Sequence, residues 1–276
     1  AATGAAAHYV PQDIYLGNLG GGIVMTEGRE TLTHRGTISG PGALTVTGAY
    51  GNSSLSYTFF EGAAPSTYSG GTVLRYGNVG VGLTSSLGTG DVYLDAVTLD
   101  LYGDGNIAPT ATLTIGSMST VNLYAASPTV GALAGVGPLN LNDSDVQLGG
   151  AMDAVYYGNI NGASGVGALT KVGTGTQTLL GIASYSGPTT LDDGRLRIES
   201  TDNIGAGPVV FTGDSTLEIF GSAPFATSRA MQLDAAGTLE VTNSAGVTWD
   251  GELAGAGSLT KDGPGELTLT AANSYA

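Results

Sequence analysis

A chain of 276 residues with 47 glycines, 41% hydrophobic residues and only 11% charged ones is long enough for one large domain or two ordinary ones, and its low charge is at odds with disorder. Its 23 acidic residues against 8 basic ones give a net charge of −15, which repels phosphate backbones and anionic lipid and argues against a nucleic-acid partner. There is no Cys, so disulfide and thiolate chemistry are absent, and no apolar run approaches the roughly 20 residues of a membrane helix.

In chain order, residues 1–35 read as an N-terminal cap or first strands, and residues 36–276 as a body built from repeats. The body opens on the cassette Gly40-Pro41-Gly42-Ala43-Leu44-Thr45-Val46. Behind it lies an expansion with Gly51-Asn52-Ser53-Ser54 at its expected tip and Tyr50, Tyr57, Phe59, Phe60 and Tyr68 in or beside it. Aromatics on a projecting loop suit contact with a protein or a sugar, because they offer area at small entropic cost, so these five are the candidate binding residues. The alternative is that they cover an open β-helix end.

Aliphatic-polar-aliphatic triplets follow, including Val92-Tyr93-Leu94, Leu99-Asp100-Leu101, Leu113-Thr114-Ile115, Val121-Asn122-Leu123 and Leu139-Asn140-Leu141. Each puts two aliphatics on one face and a polar side chain on the other, the mark of a short strand. Turn residues such as Gly103-Asp104-Gly105-Asn106 separate them. The cassette returns as Gly165-Val166-Gly167-Ala168-Leu169-Thr170-Lys171 and again as Gly255-Ala256-Gly257-Ser258-Leu259-Thr260-Lys261, with further triplets around Leu196, Leu217 and Leu239. No window has the spacing a helix needs, so little helix is expected.

Two architectures suit many short strands: an antiparallel sandwich and a parallel β-helix. The repeats favour the second. Tyr68-Ser69-Gly70-Gly71-Thr72 matches Tyr185-Ser186-Gly187-Pro188-Thr189, and Leu87-Gly88-Thr89-Gly90 matches Ile204-Gly205-Ala206-Gly207 at the same offset. The shared unit is far longer than a hairpin, and a rung of ~20 to 25 residues would accommodate it.

The cassettes resemble the passenger-associated strand repeat of bacterial autotransporters, approximately G-x-G-x-L-T-K-x-G-x-G-T-L-T-L-x-G-x-N-x-Y-x-G-x-T. The copy from Gly255 follows it through Lys261, Gly263, Gly265, Leu267, Leu269, Asn273 and Tyr275, and departs at Ala271. The copy from Gly165 keeps Lys171, Gly173, Gly175, Leu179, Gly181, Tyr185 and Gly187, with Gln177 and Ala183 as departures, and the copy at Gly40 has Val46 in the Lys place. The resemblance implies a right-handed parallel β-helix, secreted or displayed on the outer-membrane surface of a Gram-negative bacterium, for adhesion, self-association or as a stalk. It supplies no catalytic residues. The third copy stops at Tyr275-Ala276, inside a repeat, as expected of a fragment, a processed product or a divergent last rung.

Other candidates are weaker. Lys171 and Lys261 are expected to be solvated side chains that discourage edge pairing. Asp143 and Asp145 with Asn140 and Asn142 fit no calcium-loop spacing, and His8 and His34 have no clustered ligands, so no metal or cofactor is expected. Asp192-Asp193-Gly194 and Asp214-Ser215-Thr216 only loosely suggest a carboxylate pair. The preferred reading is a noncatalytic surface-display or adhesion segment that binds a host glycoprotein, glycan, matrix protein or another cell. A secreted carboxylate-dependent hydrolase acting on mucin-like glycoprotein and a pure spacer are the alternatives.

Overall fold

The computed structural model describes residues 7–24, 31–48, 57–162 and 167–275. The chain is all-β, a parallel β-solenoid whose described helix is one 3-10 turn at Thr201–Asn203. Strands pair in parallel from Ala7–Val10 against Thr31–His34 through to Leu253–Gly255 against Ser274–Tyr275, which excludes the antiparallel sandwich. Two compact units divide at Asn140 and Leu141.

In the first unit the chain winds through two main columns. One stacks Gly21–Val24, Leu44–Thr47 and the first half of Thr72–Val81; the other stacks Thr31–His34, Tyr57–Phe60 and the second half of that strand. The ten-residue strands Thr72–Val81 and Val92–Leu101 serve both columns by turning a corner at Tyr76 and Ala96, whose φ values are 57° and 56°. The triplets then stack like on like: Val79 pairs with Leu99, Leu99 with Val121 and Val121 with Leu139. Their side chains are buried, and burial of an aliphatic of this size contributes about 1.5–3 kcal/mol.

In the second unit the later full rungs carry three strands in three sheets, such as Val209–Phe211, Ser215–Ile219 and Phe225–Thr227. Leu196, Leu217 and Leu239 form one core column and Ile198, Ile219 and Val241 the next, all 0% exposed.

Two parts of the cassette have structural roles. Tyr68 and Tyr185 are fully buried, and their phenols hydrogen-bond Thr72 and Thr189 at 2.5 and 2.8 Å, which explains the shared Tyr-x-x-x-Thr spacing. The aligned Gly88 and Gly205 make room for the rings: a Cβ on Gly205 would stand 2.3 Å from the Tyr185 ring. Lys171, expected in solvent, instead pairs with Leu148 and Leu191 in the core column and is 1% exposed. Its ammonium reaches back to donate to the carbonyls of Val172, Gly173 and Asp193 at 2.8, 2.6 and 3.1 Å. Lys261, at the same repeat position, is exposed and donates to the Gly263 carbonyl at 2.8 Å.

Candidate functional site

The outward side chains of the first unit form a ledge of a different character from the rest of the surface. Register sets Phe59, Gly80, Asp100, Asn122 and Asn140 in one column on successive rungs. The residues after the next inward position form a neighbouring column, Glu61, Gly82, Tyr102 and Tyr124, tied by amides donating from Gly82 to Phe60, Tyr102 to Val81 and Tyr124 to Leu101.

Glycine at the Gly80 rung is what allows the aromatics to assemble. A Cβ there would lie 2.3 Å from the Phe59 ring and 2.7 Å from the Tyr57 hydroxyl. With that space open, Tyr57 leans across the rung and its hydroxyl donates to Asp100 Oδ2 at 3.0 Å. The Tyr57 and Phe59 rings stack at 5.9 Å; Phe59 meets Tyr102 at 5.9 Å with a 55° tilt; Tyr102 stacks on Tyr124 at 5.0 Å and 12°. Tyr124 is 50% exposed and Leu83 beside it 77%. Phe59, Glu61, Leu83, Thr84, Tyr102 and Tyr124 surround an open recess of about 500 Å³ whose lining is mostly apolar.

A row of fixed polar groups runs beside the rings. Asn122 Nδ2 donates to Asp100 Oδ1 and Asn140 Nδ2 donates to Asn122 Oδ1, each at 2.8 Å. Burial, reinforced by the Asp100 carboxylate, pushes the phenols of Tyr57 and Tyr124 above the ordinary tyrosine range, so both stay protonated donors. Among the described residues the recess lining contains one acid, Glu61, which pairs with Arg35 at 3.3 Å, and no base. The arrangement offers flat apolar faces with hydrogen-bonding groups held at their edge, as used in recognition of ligands that are apolar on one side and polar on the other.

Of the residues expected in contact with a partner, Tyr57 and Phe59 belong to this ledge. Phe60 and Tyr68 do not: they point inward, are 3% and 0% exposed, and are core. Alternation along Tyr57–Phe60 forces Phe59 and Phe60 onto opposite faces. Tyr50 and the turn at Gly51-Asn52-Ser53-Ser54 lie outside the described residues. Tyr102 and Tyr124 were missed, although each directly follows an aliphatic triplet and the two are 22 residues apart, one rung. Of the acids named for a carboxylate pair, Asp193 Oδ1 accepts from the Gly194 amide at 2.7 Å and Asp192 Oδ1 from the Thr212 hydroxyl at 3.2 Å.

One outward column of the second unit is charged. Arg197 and Glu240 flank Glu218 in register, and Glu218 accepts from Arg195 at 2.8 Å and Arg197 at 2.7 Å, while Arg195 also bonds Glu240. These charges face one another. Although burial favours the neutral acid, the two arginines outweigh it and hold the Glu218 carboxyl below its usual range.

Parallel rungs, buried repeat tyrosines and a repeat lysine in the core define a solenoid of the kind that presents surface from a stacked scaffold. The passenger-associated-transport-repeat matches residues 169–198 and 259–276, within the second and third cassettes, so the chain carries repeats of the autotransporter-passenger type. It is 30% identical over 292 aligned residues to the adhesin BmaC autotransporter of Brucella suis biovar 1 (strain 1330), an alignment that covers 91% of this chain and 8% of that protein. The repeat and this relative place the chain with secreted or outer-membrane surface proteins of Gram-negative bacteria. No solved structure matches.

Proposed function

We propose that this segment attaches its bearer to a host glycoprotein, matrix protein or neighbouring cell, and that the ledge of Tyr57, Phe59, Tyr102 and Tyr124 is the contact surface. The single observation that carries the reading is that four aromatic side chains stand together on the outside of a rigid sheet, linked by ring contacts of 5.0 to 5.9 Å. Aromatic anchors of this kind dominate contact energies, and parallel strands hold them with little entropy left to lose on binding. The similarity to a protein named an adhesin supports the same reading. Many copies displayed together would convert a modest contact into firm attachment.

The test is retention. Beads coated with the segment are passed over immobilised mucin-type glycoprotein, matrix protein and epithelial cells, with Tyr124→Ala as the comparison. The wild type is expected to be retained on at least one surface and the variant to be released at lower shear. Equal retention of both would remove the ledge from the contact, and no retention on any surface would overturn the adhesive reading.

A further inference from the structure

We propose that the recess between Phe59, Leu83, Tyr102 and Tyr124 binds a neutral pyranose, a hexose or N-acetylhexosamine at the end of or within a glycan chain. The inference deepens the adhesive reading and rests on it for biological purpose, but it is tested separately.

Size comes first. The recess holds about 500 Å³, within the roughly 300–1,000 Å³ of small-molecule sites. It therefore has room for a compact ligand.

The chemistry of the lining is the second argument. A pyranose ring has a face of C–H groups and an equator of hydroxyls, so it needs an apolar plane next to fixed hydrogen-bonding groups. Tyr124 ends the ring stack half exposed, and Leu83 stands at the rim. At the edge, Glu61 supplies a carboxylate, and the Thr84 hydroxyl, which donates to the Gly62 carbonyl at 2.7 Å, keeps its lone pairs available for a sugar hydroxyl. The hydroxyls of Tyr102 and Tyr124 can both donate and accept.

Charge decides which sugar. Among the described residues no base lines the recess; Glu61 is acidic, its partner Arg35 is not one of the lining residues, and the chain carries a net charge of −15. Sialylated, sulfated or phosphorylated sugars would meet repulsion with no guanidinium or ammonium lining the recess to receive them. A neutral ring meets no such penalty.

Saturation-transfer NMR and calorimetric titration with a panel of neutral oligosaccharides of glucose, galactose, mannose and their N-acetylated amines, alongside 3′-sialyllactose and a heparin disaccharide, test the proposal. A neutral probe is expected to bind while the anionic ones bind more weakly. Tyr124→Ala is expected to weaken binding about tenfold, the scale of one lost aromatic contact, with Tyr124→Phe within about threefold of wild type. Melting temperature and far-ultraviolet dichroism report whether each variant is folded. Should Tyr124→Ala fail to fold, Leu83→Ala at the exposed rim takes its place. Absence of binding to every neutral probe, preference for an anionic probe, or unchanged affinity in folded Tyr124→Ala or its stand-in Leu83→Ala would overturn the sugar assignment. Retention on enzymatically deglycosylated mucin equal to that on intact mucin would also overturn it, while leaving attachment through protein contacts standing. Binding of a free sugar without retention on any surface would instead sink the adhesive reading and leave the sugar site intact.

Discussion

The Lys171 ammonium occupies the space that a side chain on Gly194 would enter, 2.9 Å from where a Cβ would stand. The same Cβ would lie 2.4 Å from the Gly173 carbonyl oxygen, which is one of the three acceptors of the lysine. Lysine and glycine one rung apart are thus two halves of one device. Gly194→Ala would place a methyl against those groups in a residue whose φ is +66°, a left-handed conformation costly for alanine. The expected loss is more than about 2 kcal/mol, seen as a lowered urea midpoint and faster hydrogen exchange at the Val172 and Asp192 amides.

Lys171 sits where a rung above and below has leucine, and burial, opposed by Asp193 and Asp153, moves its ammonium below the ordinary lysine range. Lys171→Met keeps the length and removes the buried charge but leaves three carbonyls without their donor. We expect a net loss of about 1–3 kcal/mol. Lys171→Glu sets a carboxylate among carbonyl oxygens and is expected to lose more, about 3–5 kcal/mol, the scale of an uncompensated buried charge. Unfolding of the two variants side by side checks the order; a reversed order would mean that the carbonyls are satisfied in another way.

Tyr68 and Tyr185 make the same hydroxyl contact in separate units, and no partner is shared between them. Replacing either with Phe removes one buried hydrogen bond and leaves the threonine hydroxyl to its other contacts. Thr72 Oγ1 still donates to the Leu87 carbonyl at 2.9 Å, so Tyr68→Phe should be the milder of the two. Each is expected to cost about 1 kcal/mol, and the double variant about their sum, measured by denaturant unfolding.

These residues also show which parts of the molecule a single chain can be read for. Short triplets such as Leu99-Asp100-Leu101 announce their strand and their inward face, because a period of two survives without any knowledge of neighbours. The Tyr-to-Thr spacing was visible as repetition, although its meaning, a buried phenol under a glycine of the next rung, was not. Lys171 misled because charge normally signals solvent, whereas here the position belongs to a leucine column and the ammonium finds carbonyls at the turn. The ledge was half legible: Tyr57 and Phe59 stood out as an aromatic cluster, but Tyr102 and Tyr124 join them only through register, which depends on which strand lies on which.

His34 gives the first unit a dependence on acid. Its ring is 2% exposed and packs 6.1 Å from Phe60, and Nε2 has no hydrogen-bond partner. Burial lowers its pKa below 6.5, outweighing the backbone of Gln12 and Gly36 and the charge of Asp13, all of which favour the cation. In the unfolded chain the imidazole takes its proton near 6.5; in the folded protein it does so only at lower pH. Between those values the unfolded state binds more protons, so stability is full above 6.5 and falls as the pH drops through the window beneath it. Asp13 lies outside that window, because its bonds from Thr37 keep it ionised to below 3.8. Urea midpoints taken between pH 7.5 and 5 should decline for the wild type and flatten for His34→Leu. A His34 proton resonance titrating at the value of a free imidazole in the folded protein would contradict the account, because a proton taken up that easily would require a partner for Nε2.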